Sequence, residues 1–199
     1  GWGAFAGCPF RVDRVLLKET LGFHALSQNS IDATADRDWV ADLLYVAAMV
    51  GVHLSRLGED LVLFASSEWG FVRHSDRYST GSSLMPQKRN PDAMELARGK
   101  AGPLVGALTG FLAVLKGLPS GYNKDIQEDK EALFAAFDTL EAPIPAVAGT
   151  VREMEIDAAR CAAAVDAGML ATELADFLVR EGVPFREAHE KVGRLVRQA

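Results

Sequence analysis

A chain of 199 residues can bury one sizeable core, or one domain and part of another. Its formal net charge of −6 argues against non-specific nucleic-acid binding. The longest apolar run, Leu43 to Val52, is followed at once by His53 and falls short of the ~20 residues of a membrane span. Two cysteines, Cys8 and Cys161, imply no disulfide framework and fit a reducing cytoplasm, with one bridge between them left open. A start at Gly1, with no methionine and no signal-peptide pattern, reads as a fragment or as a processed or engineered start.

In chain order, Gly1 to Phe10 is glycine-rich and reads as a loop. Arg11 to Leu21 is a short helix that Gly22 ends. Phe23 to Arg37 is polar and reads as a loop or ragged helix start, with no helix of useful length. Asp38 to about Ser67 is one long helix. Leu43, Val50, Leu57 and Phe64 recur every seven residues there, beside Ala47, Leu54 and Leu61, in the pattern of a bundle seam. His53 lies near this stripe, as a core or interface histidine or as a catalytic one.

Glu68 to Thr80 connects to a polar loop, Gly81 to Asp92. A second long helix runs from Asp92 to about Lys116, with Ala97, Ala101, Leu104, Leu108, Phe111 and Leu115 as its seam. Pro103 should bend it. Gly102, Gly106 and Gly110 lie on a neighbouring face, where a close backbone approach would justify them. A third long helix starts near Ile126, with Leu133, Phe137, Leu140, Ile144, Val147, Val151 and Met154 on its seam. Pro143 and Pro145 predict a kink or break. Each long helix would span roughly 35–45 Å. The fold class is therefore all-α, an elongated antiparallel helical bundle over residues 1–155. From 156 to 199 the segments shorten, and Gly168, Gly182 and Pro184 punctuate them, as in the start of a small helical domain.

The loop Gly81-Ser82-Ser83-Leu84-Met85-Pro86-Gln87-Lys88-Arg89-Asn90-Pro91-Asp92 carries hydroxyls, two cations and an amide between restrictive prolines. Such a segment suits a loop that closes on a ligand, or an ordinary solvated turn. Its order resembles the signature GSSxMPxKxNP of the fumarase/aspartase superfamily, matched at all eight fixed positions of eleven. Gln87 and Asp92 make it similar to the argininosuccinate lyases and their lens relatives, the delta-crystallins. The segments Asn29–Ala33, His53–Arg56, Leu115–Pro119, Tyr122–Lys130 and Leu170–Ala175 resemble the same family, so the likeness covers essentially the whole chain.

The resemblance implies elimination of fumarate from a succinyl adduct with no metal or cofactor. A proton next to a carboxylate must leave, and the extra negative charge must be held. It implies that Ser82 is the catalytic base, active only as a stabilised alkoxide in a closed, dry loop. Ser83 is then a backbone hydrogen-bonder. Lys88 and Asn90 would meet the substrate carboxylate, and Arg89 would face solvent or a neighbour. Tyr122, Gln127 and Lys130 match substrate-binding positions; the alternative is a solvated face of Lys124, Glu128, Asp129, Lys130 and Glu131. Glu95 matches a glutamate that orients a histidine of another subunit, and otherwise reads as an exposed first-turn glutamate.

The family's threonine-histidine block and its serine-arginine-asparagine-aspartate run do not occur in this sequence. His24, His53, His74 and His189 stand in other contexts. The resemblance implies a homotetramer whose active sites draw on three subunits, so this stretch alone should not catalyse the reaction. The expected substrate is argininosuccinate, with arginine and fumarate as products and Gly106 and Leu108 at subunit contacts. Another fumarate-releasing lyase and a non-catalytic crystallin-like relative are the alternatives.

Overall fold

A computed structural model describes residues 7–198, so most of the expected Gly1–Phe10 loop lies outside the described residues. The fold is all-α. Helix α1, Arg14–Leu21, begins where the Asp13 carboxylate accepts the backbone N–H groups of Val15 and Leu16, and ends at Gly22 with φ of 71°. Asn29 caps the six-residue α2, Ser30–Ala35, in the same way, so the ragged polar stretch holds one short turn of helix.

Helices α3 (Asp38–Phe64), α4 (Asp92–Leu115) and α5 (Asp129–Glu141) build the core of the first compact unit. This unit comprises the chain up to Leu63 and His74–Met154. Val40, Leu44 and Ala47 of α3 meet Leu104 and Phe111 of α4 and Ala136 and Leu140 of α5. The α3–α4 pair is antiparallel: Gly51 faces Ala101 and Leu104, and Gly58 faces Met94 and Arg98.

The packed face of α3 keeps Ala47, Val50, Leu54 and Leu61 of the expected seam but turns away from Leu43 and Leu57. Val40, Leu44, Ala47, Ala48, Gly51, Gly58 and Leu61 are buried, while Leu43 and Leu57 are 37% and 38% exposed. Small residues won this face because α4 comes close enough to touch backbone. The α4 seam lies where expected, with Ala97, Leu104 and Phe111 buried and Leu108 and Leu115 packed against the core. A Cβ at Gly102, Gly106 or Gly110 would meet nothing within 4 Å among the described residues; the close approaches are at Gly51 and Gly58 instead. Helix α4 runs through Pro103 without interruption.

The third rod is broken, as the prolines required. Helix α5 stops at Glu141, and α6, Pro143–Glu153, restarts with Pro143 in its first turn. Among the described residues, α3 is the one helix long and apolar enough to cross a membrane by length and composition. Its buried face nevertheless packs in the three-helix core, and it carries Asp42, Arg56, Glu59 and Asp60.

The second compact unit joins Phe64–Arg73 to the chain from Glu155 onward. Strand β1, Val72–Arg73, pairs antiparallel with a later strand, Glu155–Ile156, and Phe64, Trp69 and Phe71 cluster in the same unit, with Trp69 edge-on to Phe71 and both tilted against Phe64. The Arg160 guanidinium, on α7 (Ala158–Ala163), donates to the backbone carbonyls of Trp69 at 2.9 Å and of Ser67 and Glu68 at 3.2 Å. These carbonyls follow the end of α3 and would otherwise be left to solvent. Helices α8 (Ala171–Arg180) and α9 (Phe185–Val196) form a hairpin that buries Ala175, Ala188 and Val192. Cys8 and Cys161 are both free thiols.

Candidate active-site segments

The signature loop is a β-hairpin mounted on the N-terminus of α4. Strands β2, Thr80–Gly81, and β3, Arg89–Asn90, pair antiparallel with Thr80 opposite Asn90 and Gly81 opposite Arg89. Two side-chain links hold the base. The Thr80 hydroxyl donates to the Asp92 carboxylate at the start of α4, and Arg89 pairs with Asp76 at 2.5 Å. Asp76 belongs to a 3-10 turn, Asp76–Tyr78, which is seated on α6. There Tyr78 fills the space that a Cβ at Gly149 would take, and Ser75 donates to Glu153 at 2.9 Å. Arg89 therefore faces a neighbouring carboxylate.

Residues 82–88 project from this base and, among the described residues, hydrogen-bond only to one another. The Ser82 hydroxyl oxygen accepts the backbone N–H groups of Leu84 at 3.2 Å and Met85 at 3.1 Å. The N–H of Lys88 donates to the carbonyl of Met85 at 3.0 Å, closing a turn over Pro86 and Gln87. The backbone-bonding serine is thus Ser82; Ser83 is exposed and makes no such bond. Lys88 is exposed and Asn90 half-buried. Glu95 is exposed on the first turn of α4, one turn before Arg98, which pairs with Glu59 of α3. The neighbouring carboxylates raise the Arg98 guanidinium above its ordinary value, the hydrogen bond it donates to Glu59 most of all.

The second group of candidate residues stands at the other end of α4. Tyr122 lies on the turn after it, and the Gln127 amide donates to the Tyr122 hydroxyl at 2.6 Å. Lys130 begins α5 and reaches back to Asp129, its Nζ 2.8 Å from Oδ1. Helix α4 has 24 residues, so roughly 36 Å of helix separates Ser82, Lys88 and Asn90 from Tyr122, Gln127 and Lys130, and Glu95, on the first turn, stands roughly 30 Å from the far end of the helix. One chain does not bring the two groups together.

Asp129 is a residue that sequence reasoning missed, because it sits among charges that read as a solvated face. It is 5% exposed. Arg37 Nε reaches its Oδ2 at 2.7 Å, while Lys130 holds the other oxygen. Burial pushes the carboxyl up, but the hydrogen bonds and charges of Lys130 and Arg37 outweigh it and hold Asp129 below the usual carboxylate range. Thr80, Asp92 and Asp76 were likewise missed as the supports of the loop. Their signal was faint: only Asp92 stood out, as a variant position.

His53 is exposed on α3. His74 is buried, with Nε2 3.3 Å from the carbonyl of Leu61 and Nδ1 unpartnered. Among the described residues, no group of three or more His, Cys, Asp or Glu side chains is placed to hold a metal ion.

Comparison with known proteins matches residues 1–106 to the family described as "Lyase" and residues 168–199 to "Argininosuccinate lyase C-terminal". The chain is 58% identical over all its 199 residues to the argininosuccinate lyase of Herpetosiphon aurantiacus, and covers 44% of that protein. It is 59% identical to that of Roseiflexus sp., again over the whole chain and 44% of the relative. The chain therefore spans under half the length of these curated relatives. Among solved structures, EDDS lyase in complex with formate superposes with a TM-score of 0.85 at 33% identity, over 100% of this chain and 40% of that one. A fumarate lyase:delta crystallin structure from Brucella melitensis, at 21% identity and a TM-score of 0.66 over 90% of this chain and 44% of its own, shares the fold.

Proposed function

From the premise that the chain belongs to the lyase family, we propose that its full-length protein eliminates fumarate from argininosuccinate to release arginine, as a step of arginine biosynthesis in the cytoplasm. The observation that carries this reading is the Ser82 oxygen, which accepts two backbone N–H groups from within a complete signature loop. A serine base must bear negative charge, and two amide donors are what that charge needs.

In the proposed reaction Ser82, as the alkoxide, removes the proton on the carbon beta to the leaving nitrogen. The electron pair moves into the adjacent carboxylate, which then holds a second negative charge. Lys88 and Asn90 are the groups that meet this charge. The carbon–nitrogen bond then breaks, the pair re-forms as the double bond of fumarate, and the nitrogen leaves with a proton supplied by an acid. Glu95 orients a histidine contributed by another subunit. Tyr122, Gln127 and Lys130 bind the arginine end of the substrate through a phenol, an amide and an ammonium. The reaction proceeds on these side chains with no cofactor or metal.

The separation of the two groups along α4 supports a homotetramer with shared sites: residues that one chain holds at opposite ends can meet only across subunits. The exposed apolar residues Val105, Leu112, Phe134, Phe137, Ile144 and Val151 suit that assembly. In this reading residues 1–155 belong to the central bundle and residues 156–199 begin a small helical domain.

The test is fumarate release by the full-length protein from argininosuccinate, adenylosuccinate and malate, beside Ser82→Ala. Turnover of argininosuccinate alone, lost in the variant, is the expected result. Turnover that survives in Ser82→Ala moves the base elsewhere. No turnover of any substrate by an intact tetramer favours a structural, crystallin-like relative.

A further inference from the structure

We propose that Arg37 is a positioning residue for Lys130, acting through the Asp129 carboxylate that the two cations share. The inference rests on the reading of Lys130 as a substrate contact.

The three side chains form a line from interior to surface. Side-chain exposure is 19% for Arg37, 8% for Asp129 and 60% for Lys130. The cations take different oxygens of the carboxylate, Arg37 on Oδ2 and Lys130 on Oδ1. The carboxylate is therefore fixed in rotation as well as in place. Arg37 is itself anchored, because its Nη1 donates to the Asp36 carbonyl at 2.8 Å, just ahead of α3. Asp36 in turn accepts the N–H of Asp38 at 2.8 Å, so this anchor is part of the turn that starts the helix. A lysine has four rotatable side-chain bonds and little preference among their settings. Asp129 restrains the Lys130 ammonium from behind and leaves its remaining N–H groups free to face outward.

Asp129 could not do this alone. Burial favours the neutral acid, and the hydrogen bonds and charges of Lys130 and Arg37 together hold it ionised. Arg37, always protonated and mostly buried, is the cation that fixes the inner oxygen in place. The line of three then has a net charge of +1, presented at its outer end by Lys130. The competing description is a brace that ties the start of α3 to the start of α5 and has no bearing on Lys130.

The test uses the full-length protein with Arg37→Gln, Arg37→Lys and Asp129→Asn. Kinetics with argininosuccinate are read beside mass-spectrometric labelling of Lys130 by an amine-reactive acetylating reagent, with exposed Lys124 as internal reference. Arg37→Gln is expected to raise KM about tenfold with kcat within about twofold. It should also label Lys130 severalfold faster relative to Lys124, and Arg37→Lys should restore both readouts most of the way. Asp129→Asn, which breaks the same line from the other side, should speed labelling likewise and serves if Arg37→Gln does not fold. A loss of thermal stability with unchanged KM and unchanged Lys130 labelling overturns the proposal in favour of the brace. A wild-type protein that releases no fumarate fails the functional reading instead, and labelling still decides the role of Arg37: faster labelling upholds it and unchanged labelling overturns it.

Discussion

Gly58 of α3 lies against the backbone carbonyl of Met94 on α4, so that a Cβ at position 58 would stand 2.8 Å from that oxygen. The obstacle is backbone and cannot swing aside. Gly58→Ala should therefore force the two helices apart and cost about 1–3 kcal/mol, read as a lower midpoint in urea unfolding. Gly51→Ala should cost less, because its nearest obstacle is the far end of the Leu104 side chain. Equal stability of Gly58→Ala and the parent would refute the close approach.

The glycines of α4 make the opposite case. A Cβ at Gly106 would meet nothing within 4 Å among the described residues, whereas Leu108, expected beside it at a subunit contact, packs on the chain's own core. Gly106→Asp should dissociate the proposed tetramer into smaller folded species in light scattering. Leu108→Asp should instead unfold the protein. A Gly106→Asp tetramer of unchanged mass would remove this face from the assembly.

Ser82→Ala should lower the fumarate-release rate by about 100- to 10,000-fold, the range for losing a general base. Substrate affinity should stay close to that of the parent. Ser83→Ala should stay within about tenfold of the parent, because the loop's internal bonds end on Ser82 and not on its neighbour. A larger defect in the Ser83 variant would exchange the two assignments.

Asp129 links charge to stability. Its folded pKa lies below the ordinary carboxylate value, so its stabilising effect is present above about pH 4 and fades as pH falls through the folded value. Asp129→Asn should therefore be less stable than the parent at pH 7, by about 2 kcal/mol for the lost charged hydrogen bonds. The gap should close on acidification below pH 4. Denaturant midpoints between pH 3 and pH 7 measure it, and a gap independent of pH would mean that the carboxylate is not the charged form in the fold.

The sequence was most readable where large side chains recur on one helix face. The α4 seam from Ala97 to Leu115 was legible for that reason, and the break at Pro143 followed from a missing amide. The α3 face was legible in part: Ala47, Val50, Leu54 and Leu61 lie on the packed side, but Leu43 and Leu57, which outweigh Gly51 and Gly58 in any count of apolar side chains, do not. Only the nearness of α4, set by tertiary packing, makes the glycines the buried side. In the candidate site, the signature loop was legible as a string of residue types. Its hairpin geometry and the Asp76–Arg89 support were not, since both depend on what the loop folds against. Asp129 was hidden for a related reason: the four consecutive charges Glu128 to Glu131 look solvated until one of them is seen to point inward beside Arg37, 92 residues earlier.

The hydrogen bonds that Ser82 accepts come from its own loop and not from the scaffold. Any swing of the hairpin tip carries donors and acceptor together, so the oxygen brings its solvation with it. Removing bulk water from around the serine on closure would then leave it partly solvated, and no donor would have to be found again at each turnover. In the proposed reaction the loop is in this sense a self-contained cartridge: the Ser82 oxygen is prepared locally, for the rest of the protein to deliver.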